Sequence, residues 1–178
     1  MIICAGDSEQ FDFAKPMGIG LIDMSINLTR ECLLNRPSSI IFIGSAGSYG
    51  NRDIFDIVES CRASNIENSF FATKAYTPIR DTVLYIDNNN VSHETIVNSS
   101  NYITTDFNLS KHYLSKGIEI ENMEFYSVLK VAKEFNIPAF GVFVVTNYCN
   151  ENAHADFITS HKEAMKKLTQ YIKKREKI

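Results

Sequence analysis

What this chain lacks narrows the reading before any motif does. Nothing in its composition suggests a membrane span or disorder: hydrophobic residues make up 44% and charged residues 22%, close to the averages of soluble globular proteins. The amino-terminal MIICAG is a short apolar run that reaches Gly6 and Asp7 at once. It has neither the basic residues nor the longer apolar segment of a secretory leader, and it reads as a strand. Cys4, Cys32, Cys61 and Cys149 show no C-x-x-C spacing, so neither a zinc site nor a disulfide framework is indicated and a cytoplasmic protein is expected. His93, His112, His154 and His161 form no metal-ligand set; His154 and His161 are two helical turns apart, too far to chelate one ion directly. The net charge of −3 leaves no broad footprint for nucleic acid, and the basic cluster Lys173-Lys174-Arg175-Lys177 suits the closing turn of a helix. No internal repeat, low-complexity segment or linker rich in proline, glycine or serine divides the chain. One domain over residues 1–178 is expected, with no metal, cofactor, nucleic acid or membrane partner.

What is present is an alternation of helix and strand. Ile40-Ile41-Phe42-Ile43 is wholly apolar and followed by glycine, the signature of a strand buried on both faces, and Ala139 to Val145 repeats it. A helical stretch precedes each: Leu21 to Leu34, closed by Pro37, and Asn122 to Phe135, whose Phe125, Val128, Leu129, Ala132 and Phe135 make one apolar face. Ile54 to Val58, Thr82 to Ile86 and Thr95 to Val97 read as shorter strands, with a turn at Asn88-Asn89-Asn90. From His154 to Lys174, Phe157, His161, Ala164, Met165, Leu168, Tyr171 and Ile172 recur at helical spacing. The whole predicts one α/β layer structure.

Ligands in open α/β sheets collect beyond the carboxyl ends of the strands. Three features fall there. Gly44-Ser45-Ala46-Gly47 follows a buried strand, where glycines permit close backbone approach, N–H groups can face an anion and Ser45 adds a hydroxyl. Thr146-Asn147 follows the second strand, and Glu121-Asn122-Met123-Glu124 opens a helix. Each has a plainer explanation: a tight turn, a turn asparagine, and an acidic residue serving as a helix cap.

Their joint order, with Gly18-Ile19-Gly20 ahead of a helix and then GSAG, SSNYI, ENMEFY and VVTN, resembles the nucleoside phosphorylase and nucleosidase superfamily over about Gly18 to Lys167. Its members include purine nucleoside phosphorylases, uridine phosphorylases and methylthioadenosine/adenosylhomocysteine nucleosidases. The resemblance implies a three-layer fold with a mixed central sheet flanked by helices. It further implies that Glu124 accepts hydrogen bonds from the ribose 2′ and 3′ hydroxyls and Met123 packs on the sugar. Tyr102 and Ile103 fall on the base side, although Tyr102 also fits a half-buried core tyrosine. Ser45, with Gly20 and Gly44, falls near phosphate or water. A desolvated carboxylate at Glu124 suits the chemistry, because breaking an N-glycosidic bond builds positive charge on the ribose ring.

Three departures shape the expected activity. Asn147 stands where many purine-specific members carry an aspartate that supports protonation of the base; its amide both donates and accepts, which suits a 6-oxopurine. Phe42 stands where phosphorylases carry a phosphate-gripping arginine, leaving Arg52, Arg80, Lys15 or a neighbouring subunit to supply a cation. The segment before Gly18 is short, and within Gly6-Asp7-Ser8-Glu9 the carboxylate of Glu9 is a candidate base for water, or else part of an exposed turn. Cleavage of a purine nucleoside with inorganic phosphate as co-substrate is the leading expectation, with Asn147, Glu124 and Ser45 as the catalytic set and a homo-oligomer, dimer or hexamer, as the assembly. Hydrolysis of the same bond is the alternative. A protein that binds a nucleoside, base or dinucleotide without turnover is the reading of another class; the glycines Gly44, Gly47 and Gly50 lack the G-x-G-x-x-G spacing of a dinucleotide loop.

Overall fold

The apolar runs around Phe42 and Val142 become the two longest strands of one mixed sheet. The computed structural model describes residues 1–73, 75–84 and 95–178. In chain order the elements are β1 (Ile2–Cys4), β2 (Lys15–Pro16), α1 (Gly20–Asn35), β3 (Ile40–Ser48), β4 (Ile57–Ser60), β5 (Arg62–Ser64) and α2 (Asn68–Phe71). There follow β6 (Thr82–Leu84), β7 (Ile96–Ser99), α3 (Phe107–Ser115), β8 (Ile118–Asn122), α4 (Phe125–Glu134), β9 (Ala139–Tyr148) and α5 (Ala153–Glu176).

Alternation along β3 sorts the core into two halves. Ile40, Phe42 and Ala46 face α1 and α4, packing with Met24, Leu28, Val128 and Leu129, while Ile41 and Ile43 face α5 and pack with Ala164, Leu168 and Ile172. The result is three layers with helices on both faces of the sheet. Each fully buried aliphatic or phenyl side chain contributes about 1.5–3 kcal/mol from removal of apolar surface. Phe42 lies between Phe125 and Phe143, with ring centroids 6.1 and 5.8 Å away, and is wholly enclosed in that core.

The sheet branches at β3. On one edge β3 runs parallel to β9 along its whole length, from Ile40 opposite Ala139 to Ser48 opposite Tyr148, with a register shift between Ala46 and Gly47. On the other edge its start pairs in parallel with β1, at Ile41 and Phe42, and its end pairs antiparallel with β8, at Gly47 and Ser48. Among the described residues no strand pairs with that edge of β3 over residues 43–46. A gap between two diverging strands leaves backbone groups that need other partners, and this gap is where the polar residues converge.

Several expectations shift in register or kind. The Gly44–Gly47 segment is not a loop but the second half of β3, and Thr146-Asn147 lies inside β9, because both runs stay paired beyond their apolar stretch. Glu121 and Asn122 end β8 rather than open a helix. The strand expected at Ile54 to Val58 runs instead over Ile57–Ser60, after Phe55 turns the chain with φ 75°. That expected at Thr95 to Val97 spans Ile96–Ser99. The turn at Asn88-Asn89-Asn90, His93 and the last two residues of the Thr82 to Ile86 strand lie outside the described residues. Among the described residues no helix is long and apolar enough to cross a membrane.

Candidate active site

The branch in the sheet opens into a cavity of about 390 Å³. Its floor is β3 at Ser45, Ala46 and Gly47; its walls carry Glu9, Glu121, Met123, Glu124 and Asn147; Tyr102 and Ile103 stand at its mouth. The sequence-predicted residues Glu9, Ser45, Tyr102, Ile103, Met123, Glu124 and Asn147 therefore meet at one place, although they come from five separate stretches of chain.

Glu9 is brought inward by a tight turn. Its N–H donates to the Gly6 carbonyl at 2.9 Å, with Gly6 and Asp7 both at positive φ, so Asp7 and Ser8 face solvent and Glu9 points into the gap beside β3. There one carboxylate oxygen accepts from the Ser45 N–H at 3.0 Å and from the Ser45 hydroxyl. The anion that Ser45 faces is thus part of the protein. Gly44 is required for this seat, since a β-carbon there would lie 2.9 Å from Glu9 Oε2. That Oε2 is buried and has no hydrogen-bond partner, and neither has Nε2 of His161 on α5. Burial raises the Glu9 carboxyl above the usual range, opposed by the two Ser45 donors and by the positive charge available at His161.

Glu124 is aimed at the cavity because another residue caps its helix. Asn122 Oδ1 accepts from the N–H groups of Glu124 and Phe125, at 2.8 and 3.0 Å, while the Asn122 amide donates to the Ser45 carbonyl at 3.1 Å. Asn122 thereby closes the helix start and fills part of the gap in β3. The Glu124 side chain makes no cap bond, which removes the helix-cap explanation for it. Its Oε1 accepts from the Gly20 N–H at 2.8 Å, and Gly20, at φ 82°, opens α1. Only 3% exposed, the Glu124 carboxyl is pushed up to about 7, first by burial and then by the charge of Glu9, against the pull of the Gly20 amide.

Gly20 and Gly44 are the two residues expected, with Ser45 and Glu9, near phosphate or water. Neither residue lines the cavity, the Gly20 N–H is committed to Glu124 and the Ser45 N–H to Glu9. Among the described residues no lysine or arginine lines the cavity. Arg52 is held by Glu119 at 2.6 Å, Lys15 pairs with Glu31, and Arg80 is exposed. Phe42 is enclosed in the core and does not line the cavity.

Tyr102 is 78% exposed at the mouth of the cavity, so its alternative as a core tyrosine falls. The Asn147 amide is partly engaged: its Oδ1 accepts from the Thr146 hydroxyl at 2.8 Å and its Nδ2 donates to the Tyr148 carbonyl at 3.2 Å. One N–H and one lone pair remain for a ligand. Among the other lining residues, Phe157 on α5 stands in the sequence only as part of an apolar face, and Glu121 falls at the ligand edge as part of an apparent helix start, with no role of its own. Glu121 Oε1 accepts from the Thr104 N–H and its Oε2 from the Tyr49 hydroxyl, each at 2.8 Å.

The phosphorylase superfamily model matches residues 86–174, half of the sequence, and the chain belongs to that superfamily. Solved structures share the architecture. A mutant futalosine hydrolase of Helicobacter pylori superposes with a TM-score of 0.81 at 16% identity, over 97% of this chain and 95% of that one. A mutant methylthioadenosine nucleosidase of Helicobacter pylori, with 5′-methylthioadenosine in its active site, gives 0.76 at 16% identity over 90% and 78%. A methylthioadenosine/S-adenosylhomocysteine nucleosidase of Colwellia psychrerythraea in complex with adenine gives 0.75 at 13% identity over 96% and 91%. At these identities the likeness speaks for the fold. No curated protein matches the sequence.

Proposed function

We propose that this chain hydrolyses the N-glycosidic bond of a purine nucleoside, with water rather than phosphate as the acceptor. The observation that carries the proposal is the seat of Glu9: a buried carboxylate on the cavity wall, anchored through one oxygen by Ser45, with its other oxygen unpartnered. Such a group can take a proton from a water approaching the sugar. A phosphate dianion in the same place would meet Glu9 and Glu124 with no lysine or arginine on the described wall to offset them. The leading expectation of phosphorolysis therefore gives way to its alternative.

Glu124 then holds the ribose. The 2′ and 3′ hydroxyls donate to its carboxylate, Met123 packs on the sugar, and the negative charge stabilises the cationic ring of the transition state. Ligand hydroxyls favour the ionised form that burial opposes, so substrate itself completes the charge state. The base lies toward Asn147, Tyr102 and Ile103, and the nucleosidase and hydrolase folds shared with this chain support a purine there. The spare N–H and lone pair of Asn147 serve a 6-oxopurine as well as a 6-aminopurine, and the relative rates on inosine and adenosine distinguish the two. The exposed Ile19, Ile22, Ile26, Tyr102 and Ile103 make an apolar rim and helix face suited to a second copy of the chain, and sedimentation velocity should return a homo-oligomer.

The test is direct. Inosine, adenosine and 5′-methylthioadenosine are incubated with the protein with and without phosphate, and sugar products are resolved. Free ribose or its 5′-thio analogue at a rate independent of phosphate is expected; ribose 1-phosphate formed in proportion to phosphate would overturn the hydrolytic reading.

A further inference from the structure

Asn147 cannot hand a proton to a departing base, yet a purine leaves readily only when it is protonated as the bond breaks. The sheet brings a second group to the same place. Gly47 of β3 is paired with Glu121 of β8 on one side and with Asn147 of β9 on the other, so the three residues share one rung. Side chains converge over the glycine: a β-carbon on it would lie 2.8 Å from Cys149 Sγ, 3.1 Å from Asn147 Nδ2 and 3.4 Å from Glu121 Cγ. Both side chains line the cavity. Glu121 is 8% exposed; its Oε1 accepts from the Thr104 N–H and its Oε2 from the Tyr49 hydroxyl, with the Thr104 hydroxyl and the Cys149 thiol as further donors to the carboxylate. Thr104 belongs to the segment that carries Tyr102 and Ile103, so the carboxyl sits directly beneath the base-side loop.

We propose that Glu121 is the general acid that protonates the leaving purine, with Asn147 orienting the base beside it. This rests on the hydrolytic reading of the site. The balance is complete with water as the sole co-reactant. The bond from C1′ to N9 breaks and its electron pair passes into the purine, which takes the Glu121 carboxyl proton at N7. The water oxygen bonds to C1′ and its proton goes to Glu9. Solvent exchange then returns a proton from Glu9 to Glu121, leaving ribose and neutral base. Burial, the largest influence on Glu121, favours the protonated form that this step needs, against the pull of Thr104, Tyr49 and Cys149.

Glu121→Gln keeps the size of the side chain and a carbonyl oxygen for Thr104 but carries no transferable proton. Two substrates separate its roles: a purine nucleoside, whose base needs protonation, and 4-nitrophenyl β-ribofuranoside, whose leaving group does not. For Glu121→Gln the purine rate should fall by about 100-fold or more, the range of a lost general acid. The fall on the nitrophenyl substrate should be far smaller, so the ratio of the two rates rises by most of that factor. Equal losses on both substrates, or a purine rate close to wild type, would overturn the role of Glu121 while leaving hydrolysis intact. A wild-type protein that cleaves neither substrate would overturn both readings. Tyr49→Phe supplies a second measurement. Removing the donor to Oε2 destabilises the carboxylate among its titratable neighbours Tyr49, Tyr113 and Cys149, so the alkaline limb of the purine pH profile should move to higher pH. An unmoved limb counts against the assignment.

Discussion

At the scale of single residues, the carboxyl of Glu124 carries the sharpest expectations. Glu124→Gln retains an acceptor for the Gly20 N–H but removes the charge on which the proposed ribose contact and transition-state stabilisation rest. Turnover should fall by about 10²–10³-fold, corresponding to ~2.7–4 kcal/mol, with little change in melting temperature near pH 5. The same carboxyl makes stability depend on pH. Its value in the fold is raised from the ordinary 4.5 to about 7, so the folded chain holds a proton there that the unfolded chain releases earlier. The stabilisation is complete below about 4.5 and is lost as pH rises through 7, on the order of 3 kcal/mol for this group. Urea midpoints of the ligand-free protein should drop between pH 5 and 8, and Glu124→Gln should remove its share of that slope. Met123 and Glu124 were legible in the sequence because their neighbours form a specific string. Glu121 shares that string, but an acidic residue beside an asparagine at an apparent helix start gives no sign that it ends a strand.

Elements explain why some motifs were read correctly and others were misplaced. The apolar runs announce β3 and β9, yet periodicity cannot show where a buried strand stops when small residues follow it. The glycines of GSAG suggested a turn. They are instead positions on a strand where neighbouring side chains need the room: Glu9 over Gly44, and Cys149, Asn147 and Glu121 beside Gly47. The short strands β5 and β8 and the helix α3 escaped notice, since each depends on its partners more than on its own pattern. Asn122 joins β3 to α4, so Asn122→Ala should cost about 0.5–2 kcal/mol as a lost cap, read by denaturant titration, and more as the Ser45 carbonyl loses its donor. Its effect on turnover should exceed its effect on stability, because both Glu9 and Glu124 are positioned from that junction. On α5, His161 offers a positive charge that favours the Glu9 carboxylate, while burial and the charge of Glu124 oppose it, with Cys4 the other titratable neighbour. His161→Leu should therefore move the acidic limb of the pH–rate profile upward, and an unmoved limb would count against coupling between the two.

Across the whole molecule, the branch in the sheet matters more than any one loop. The α/β class followed from the alternation of helix and strand and the three layers from the family resemblance, whereas the gap between β1 and β8 is a property of long-range pairing that no local stretch encodes. Of the proposed catalytic groups, Ser45, Glu121 and Asn147 stand on β3, β8 and β9 and Glu124 at the start of α4, with Glu9 on the turn after β1, so most of the site is mounted on core strands, which open at the highest free energy. Amides in such strands exchange with deuterium chiefly through global unfolding. A bound purine should then slow exchange at Ser45 and along β3, β8 and β9 by one common factor, set by its concentration relative to Kd. Only the Tyr102 to Thr104 segment at the mouth should gain protection beyond that factor. A ligand felt this way reports on the cohesion of the entire sheet, so its affinity can be read at amides that never touch it.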